Sequence, residues 1–590
     1  MTRPHDRSAN LIDVLTSRAE RSGARLAYRF LLDGESDEKQ LTYGELADQA
    51  TRVASTLQDA RCGGKRAMLV YQPGLDYIVG FLGCLMAGVT AVPAYPPDPF
   101  RMERTFPRFQ AIVNDSGPAA ILSTSAILEL AGDLFDEFPE FAELPRFATD
   151  TLWSDSATAW ARPSINGDTL AFLQYTSGST SDPKGVVLTH GNLIANLEQI
   201  SHGFAITDRS VAVIWLPPYH DMGLIGGILE PLYAGIPCTL MSPLDFLQRP
   251  MRWLQALSKY GATVSGGPNF AYDLVARKAT PQQKVVLDLS RWEVAFNGAE
   301  PVRKETIERF AAAFEECGFR KEAFYTCYGL AEATLIVSGG AVLTLPVYAT
   351  VSASQLGNGR AVAAAEGSPD SQPLVGCGES LLDQVIAIVD PESLAPCPSG
   401  AVGEIWVSGC NVAQGYWHKP DESERTFRGR IAGGEGSYLR TGDLGYLDEH
   451  GNLFVVGRIK DLIIVDGRNH YPQDIELTVE KCHPAIRPGC TAAFSVADGG
   501  QERLVVVAEI GKGFKAVQGA PRPATDSGSL DPAEVFATVR KAVAEGHDLR
   551  THAIVLLRAG AAPKTSSGKI QRRAARASYM DGTLETWGSQ

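Results

Sequence analysis

The chain has 590 residues and a mass of 63.3 kDa, enough for three or four packing units fused into larger bodies. Hydrophobic residues make up 44% and charged residues 21%, which excludes a disordered or fibrous protein. The 54 basic residues against 68 acidic ones leave a net charge of −14, a balance that excludes nucleic acid as the expected main partner.

In chain order, the opening MTRPHDRSANLIDVL has no apolar run behind a charged start. No secretory signal is read there, and the cytoplasm is the expected compartment. Ser8 is placed to cap a helix whose apolar positions Leu11, Ile12, Leu15 and Ala19 share a face. Thr42 and Glu45 form a capping-box pair ahead of Leu46, Ala50, Val53 and Leu57. A strand is expected at 67–71, and then the uncharged stretch 77–95, about long enough to span a membrane. Three glycines and Pro93 divide that stretch, so it reads as a buried helix through Leu82, Leu85 and Met86 followed by a strand at 89–92. This is a βαβ unit, and no transmembrane segment is expected.

Further apolar runs at 211–216, 262–265, 294–297 and 335–337 alternate with helical stretches such as 303–317. The fold class is therefore α/β: a large N-terminal body of layered α/β subdomains with a small β-rich unit, plus a small C-terminal α+β lid. The lid is read from a strand at 504–508, a helix capped by Asp531 and Pro532, and a strand at 553–557, with 511–530 as a loop inside it. The ten cysteines stand singly, without a CxxC pair, as in a reducing compartment without a zinc site.

Chemistry is concentrated first in 175–185, YTSGSTSDPKG, between an apolar strand at 170–173 and a β-branched run at 186–188. Its hydroxyls and backbone N–H groups can face phosphate oxygens. Lys184 is followed by Gly185 and a strand, so this is not a Walker A loop. Six more segments follow in order: LPPYHDMG at 216–223, NGAE at 297–300, YGLAE at 328–332, YLRTGD at 438–443, GRIKD at 457–461 and PKTSSGK at 563–569.

Together these seven segments resemble the adenylate-forming, or acyl-activating, superfamily over about residues 10–575. The resemblance implies an enzyme that uses ATP and Mg²⁺. It implies that Thr176, Ser177, Gly178, Ser179, Thr180 and Lys184 hold the β- and γ-phosphates, and that Thr176 and Glu332 serve the Mg²⁺. Tyr328 and Gly329 are expected against adenine, with Tyr328 stacking on it. Asn297, Gly298, Ala299 and Glu300 are expected along its edge. Asp443, an acceptor-only group when ionised, is expected to take both ribose hydroxyls, with Arg458 beside it. Lys569 is expected to drive adenylation and then swing away, with Lys460 at the hinge between residues 1–459 and 460–590. Ala331 stands where many members carry Thr, so one hydroxyl near the phosphate is missing.

The branch most similar is the fatty acyl-AMP ligases. HDMGL at 220–224, GRNHYPQDIE at 467–476 and the extra length at about 341–372 all match that group. The resemblance implies a fatty acid as substrate and a phosphopantetheinylated acyl carrier protein, or a carrier domain of a polyketide or peptide synthase, as acceptor. The alternatives are a long-chain acyl-CoA synthetase and a catalytically inactive acyl-nucleotide-binding protein. His220 is a candidate catalytic residue beside the acyl site. The apolar run 224–229 and Met241 are candidates to line the pocket, and the neighbouring Asp221 leaves an amino-acid substrate open. In the insertion, residues 348–353 are expected as a strand that limits lid rotation or closes the CoA route. Arg572, Arg573 and Arg576 are candidates for docking an acidic carrier.

Overall fold

The computed structural model describes residues 10–97, 102–152, 159–176, 183–465, 468–498, 501–516, 529–565 and 568–589. The first helix, Leu11–Ser22, starts two residues later than a Ser8 cap would place it. Asn10 caps it, its side-chain oxygen accepting from the N–H groups of Ile12 and Asp13 at 3.0 Å each; Ser8 lies outside the described residues. The Thr42 capping box is formed in full at the head of Tyr43–Asp59. The uncharged stretch divides as expected into the helix Leu75–Ala87, ended by Gly88 in the left-handed conformation (φ 68°), and the strand Thr90–Ala94. Among the described residues no helix is long and apolar enough to cross a membrane.

Two large sheets build the body. In the first, Arg146–Ala148, Ala120–Ser123, Arg66–Val70, Thr90–Ala94 and Leu170–Tyr175 run parallel, and Gly185–Thr189 folds back antiparallel on the last. In the second, a nine-stranded sheet, the central strands Phe324–Gly329, Val294–Asn297, Val264–Gly267, Ala212–Ile214, Cys238–Met241 and Leu26–Leu31 are parallel, and antiparallel strands close both edges. The parallel strands are buried on both faces, which is why they read as unbroken apolar runs. In such sheets the carboxyl ends of the strands are where ligands meet loops. Four of the seven motifs sit there: Thr176 follows Leu170–Tyr175, His220 follows Ala212–Ile214, Asn297 ends its strand, and Tyr328 and Gly329 end theirs.

An antiparallel sheet of Val385–Val389, Gly403–Ser408, Leu439–Leu447 and Leu453–Arg458 forms the small β-rich unit and carries Asp443 and Arg458 directly opposite each other. The lid holds the hairpin Ile463–Val465 with Arg468–His470, a four-stranded sheet, and the helices Pro472–Cys482, Pro532–His547 and Arg572–Met580. Within the stretch expected as a loop, Lys515–Ala516 pairs with Ser529–Leu530.

The insertion forms a hairpin rather than a single strand, Tyr348–Ser352 pairing antiparallel with Ser371–Val375. It touches both halves of the molecule. Lys304 and Lys321 of the body lie 5.4 and 5.5 Å from the Tyr348 ring centroid. Val351 and Leu356 share an apolar cluster with Leu444, Tyr446, Phe454 and Val456 of the β-rich unit and with Tyr471 of the lid. Gln372 Nε2 donates to Asp474 Oδ2 of the lid at 2.9 Å.

Glu404, 3% exposed, fixes the strand that carries Asp443. Its carboxylate accepts from Trp406 Nε1 at 2.9 Å, from Arg440 Nε and Nη2 at 3.0 and 2.8 Å, and from Gly442 N at 3.1 Å. Removing one partner of such a buried pair costs about 3 kcal/mol. Glu404→Ala should therefore speed amide hydrogen exchange across Leu439–Leu447 by about a hundredfold; unchanged protection there would show that the strand is held by other means.

Candidate functional site

The site forms where the β-rich unit, the carboxyl ends of the parallel strands and one lid loop meet. Asp443, buried at 4% exposure, is held from two sides. Tyr328 Oη donates to Asp443 Oδ2 at 2.7 Å and Arg458 Nε to Asp443 Oδ1 at 2.8 Å. Three separately read motifs thus meet on one carboxylate. Asp443 raises the guanidinium pKa of Arg458, and burial raises that of the Tyr328 phenol. The phenol bond is not legible in the YGLAE motif, which points only to the ring.

Glu300 accepts from Phe270 N at 2.6 Å, and Ala299 before it holds a left-handed backbone (φ 67°) that turns the loop toward the site. Burial moves the Glu300 carboxyl upward, against the pull of Lys569, Arg303 and Lys564. Asn297 is fully buried, and neither side-chain amide atom has a protein partner among the described residues. Gly329 is required sterically: a Cβ there would lie 1.9 Å from the carbonyl oxygen of Leu335.

Glu332 sits in the short 3₁₀ turn Ala331–Ala333. Its carboxylate accepts from Tyr416 Oη at 2.8 Å, and burial pushes its pKa up. The loop 175–185 is described only at its ends, where Thr176 N donates to the Lys184 carbonyl at 3.2 Å and Arg108 Nη2 to the Thr176 carbonyl at 2.9 Å. Ser177, Gly178, Ser179 and Thr180 lie outside the described residues. Lys184 pairs with Glu422 and lies 5.0 Å from the Tyr416 ring centroid.

His220 Nδ1 and Asp221 Oδ1 are 2.6 Å apart, and Met222 N also donates to that oxygen at 2.7 Å. Against the desolvation that would raise it, His220, Lys569 and the Met222 amide hold the Asp221 carboxyl below its usual range. The following apolar run is a π-helix, Met222–Leu229, with Leu224, Ile225, Ile228 and Leu229 all buried. Its wider turn displaces a carbonyl, and Tyr28 Oη donates to the Ile228 oxygen at 2.7 Å. Met241 is buried at the end of its strand.

Lys569 comes from the lid. Its turn is closed by Lys569 N donating to Thr565 Oγ1 at 3.1 Å and Thr565 N to the Lys569 carbonyl at 2.8 Å, with Gly568 at φ 87°. The ammonium lies within electrostatic reach of Asp221, Glu300 and Asp443 of the body and of Arg458. Burial lowers its pKa, and the three carboxylates oppose that shift. The hinge candidate Lys460 is exposed on the 3₁₀ turn Ile459–Asp461 and does not join this cluster.

Arg572 departs from the expected docking role. Its guanidinium donates to Glu476 at 2.7 and 2.8 Å and to Asp461 at 2.9 Å, so it binds the lid together beside the hinge candidate Lys460. Arg576 is exposed and Arg573 half-buried. Tyr416 and Glu422 were not found from the sequence; they lie outside the seven motifs, and only the fold brings them to Lys184 and Glu332.

Residues 15–417 match the family described as AMP-binding enzyme, and residues 460–589 match the Disco-interacting protein 2-like AMP domain. The chain belongs to the AMP-binding enzyme family. This AMP-binding enzyme is 46% identical to the medium-chain-fatty-acid–acyl-carrier-protein ligase JamA of Moorena producens, over 98% of this chain and 96% of that protein. It is 37% identical to the long-chain-fatty-acid–AMP ligase FadD32 of Mycolicibacterium smegmatis, over 95% and 93% of the two chains. Its fold superposes on a fatty acyl-adenylate ligase of Legionella pneumophila, solved with acyl adenylate and pyrophosphate, with a TM-score of 0.75 at 40% identity over 100% of this chain and 99% of that one.

Asp474, bonded to Gln372 of the insertion, has its carboxyl pushed up to about 7, chiefly by burial. A carboxyl raised in this way contributes stability that is complete below its unfolded value near 4 and is lost as the pH rises through about 7. Thermal melting of this AMP-binding enzyme should therefore show a fall in stability between pH 5 and pH 7.5 that Asp474→Asn removes. An Asp474→Asn profile parallel to the parent's would contradict this assignment.

Proposed function

We propose that this AMP-binding enzyme joins a fatty acid to AMP using ATP, releases pyrophosphate, and then passes the acyl group to the phosphopantetheine thiol of an acyl carrier protein. The observation that carries the reading is the meeting of three motifs on Asp443, which accepts from Tyr328 Oη at 2.7 Å and from Arg458 Nε at 2.8 Å, with Lys569 of the lid near enough to act on it electrostatically. The similarity to JamA, FadD32 and the Legionella ligase over nearly the whole chain supports the choice of substrate and acceptor.

In this reading a fatty carboxylate oxygen bonds to the α-phosphorus, and the bond from that phosphorus to the pyrophosphate oxygen breaks. Both partners are anionic, so catalysis rests on positive charge and oriented donors already in place. Lys569 supplies the charge at the α-phosphate. Thr176 to Lys184 hold the outgoing phosphates. Asp443 has bound Tyr328 and Arg458 and, with about four lone-pair positions, keeps acceptor capacity for ribose hydroxyls. Tyr328, Gly329 and the Asn297 to Glu300 turn form the adenine side. His220 lies against Asp221, with 2.6 Å between its Nδ1 and the Asp221 Oδ1, and so engages a carboxylate that would otherwise repel the incoming one.

The residues fit Mg²⁺. Glu332 offers a carboxylate that accepts from Tyr416 Oη and keeps acceptor capacity, the oxygen chemistry a hard cation takes. Glu332 and Thr176 would hold it. Such an ion would add positive charge at the phosphates.

The domain reading is a body of 1–459 and a lid of 460–590 that rotates about Lys460, and the second family match, which begins at residue 460, is in keeping with it. Arg572, tied to Asp461 and Glu476, would carry the lid as one piece. The insertion hairpin bridges body and lid through Tyr348, Leu356 and Gln372, which supports a role in restraining lid rotation and disfavouring CoA. Ten free cysteines fit the cytoplasm.

Incubation with ATP, Mg²⁺ and mixed fatty acids, followed by mass spectrometry, should yield acyl-AMP, and acyl-carrier rather than acyl-CoA when both thiols are offered. Acyl-CoA as the main product would establish the synthetase alternative. Lys569→Ala should lower acyl-AMP formation by about a hundredfold or more; unchanged output would point to a non-catalytic role. Deleting 341–372 should raise acyl-CoA output, and a folded deletion without that gain would remove the hairpin from the account.

A further inference from the structure

Lys184 is held by a cradle that none of the seven motifs includes. Residues 414–417 run antiparallel to the strand that leaves the phosphate-facing loop: Val187 N donates to the Gly415 carbonyl at 2.9 Å, Gln414 N to the Val187 carbonyl at 3.1 Å and Trp417 N to the Gly185 carbonyl at 2.7 Å. This pairing sets Tyr416 against Lys184 in a fixed register. Ser423 Oγ then accepts from Tyr416 N at 2.8 Å and donates to the Lys419 carbonyl at 2.7 Å. Those bonds bring the helix Pro420–Phe427 back so that Glu422, in its first turn, meets the ammonium. The carboxylate is favoured there by the helix N-terminus as well as by the lysine. Lys184 and Glu422 are 22% and 28% exposed, so water and salt screen the pair only in part. The face of Tyr416 lies 5.0 Å from the same ammonium, while its hydroxyl donates to Glu332 at 2.8 Å.

We infer that Glu422 is the resident counter-ion of Lys184 and competes with the phosphates for it, so that Glu422 sets how tightly pyrophosphate is held and how readily it leaves. The inference rests on the proposed reading of Lys184 as a phosphate-holding residue. One ammonium cannot stay fully paired with Glu422 and also take a phosphate without drawing two anions together. Phosphate binding must therefore give up part of the existing pair, and that part is subtracted from its affinity. When pyrophosphate departs, Glu422 recaptures the lysine, so the half-buried cation is never left bare. Tyr416 holds Lys184 at one place in both states, because its cation–π contact does not depend on which anion is present.

Removing the charge while keeping the shape should therefore strengthen phosphate binding. Isothermal titration of inorganic pyrophosphate into the unliganded full-length protein should give a Kd about fivefold lower for Glu422→Gln than for the parent, the scale of a partly screened ion pair. Glu422→Asp, which keeps the charge, should stay within about twofold of the parent. In fatty-acid-dependent ATP–pyrophosphate exchange, the KM for pyrophosphate should fall in the same proportion. A structural defect would weaken binding instead, so the sign separates competition from damage. Weaker or unchanged pyrophosphate binding in Glu422→Gln, or no binding to the parent, would overturn the inference. Binding that tightens as expected without any exchange by the parent would leave the counter-ion role standing and sink the proposed reaction.

Discussion

One electrostatic constraint governs the molecule: a half-buried lysine on one piece of the chain stands in the field of carboxylates on another. Lys569 loses hydration on entering the site, which lowers its pKa, and Asp221, Glu300 and Asp443 work against that loss. The acids do not gain equally. Burial still moves Glu300 and Glu332 upward, whereas Asp221 is held down by His220 and Lys569 together. A cluster so charged is poorly satisfied by protein alone and suited to a ligand that carries both negative phosphates and a cation.

The rest of the architecture delivers these groups to one place. Parallel strands end at a common edge and leave their loops there, while the antiparallel unit supplies Asp443 and Arg458 from adjacent strands. The lid is braced internally by Arg572 and against the body by weaker links, among them Lys481 to Glu305 at 3.1 Å and Gln372 to Asp474 at 2.9 Å. Strong bonds within the lid and a few polar contacts across its boundary suit the rotation proposed for it. The insertion hairpin is the exception, since Tyr471 packs into the same apolar cluster as Val351 and Leu356.

Much of this was legible in the sequence where local rules suffice. The Thr42 capping box, the division of the uncharged stretch at Gly88 and the strand Val294–Asn297 follow from propensity, periodicity and a glycine in the left-handed region. The motif residues that meet around Asp443 were named, yet their pairing was not. The phenol bond from Tyr328 and the inward turn of Arg572 depend on which residues face each other across distant strands and helices. The π-helix at Met222–Leu229 was read only as an apolar run, because hydrophobicity does not distinguish a wider turn. Tyr416 and Glu422 were invisible for the same reason: their role comes from backbone pairing with the loop strand, more than two hundred positions away.

The central claim is that Lys569 of the lid sits among the acidic groups of the body. Zero-length carbodiimide cross-linking of the full-length protein, read by tandem mass spectrometry, tests it directly. The account predicts Lys569 joined to Asp221, Glu300 or Asp443, with Lys481 to Glu305 as a second link across the same boundary. Recovery of the Lys481 link with Lys569 joined only to lid carboxylates would contradict it.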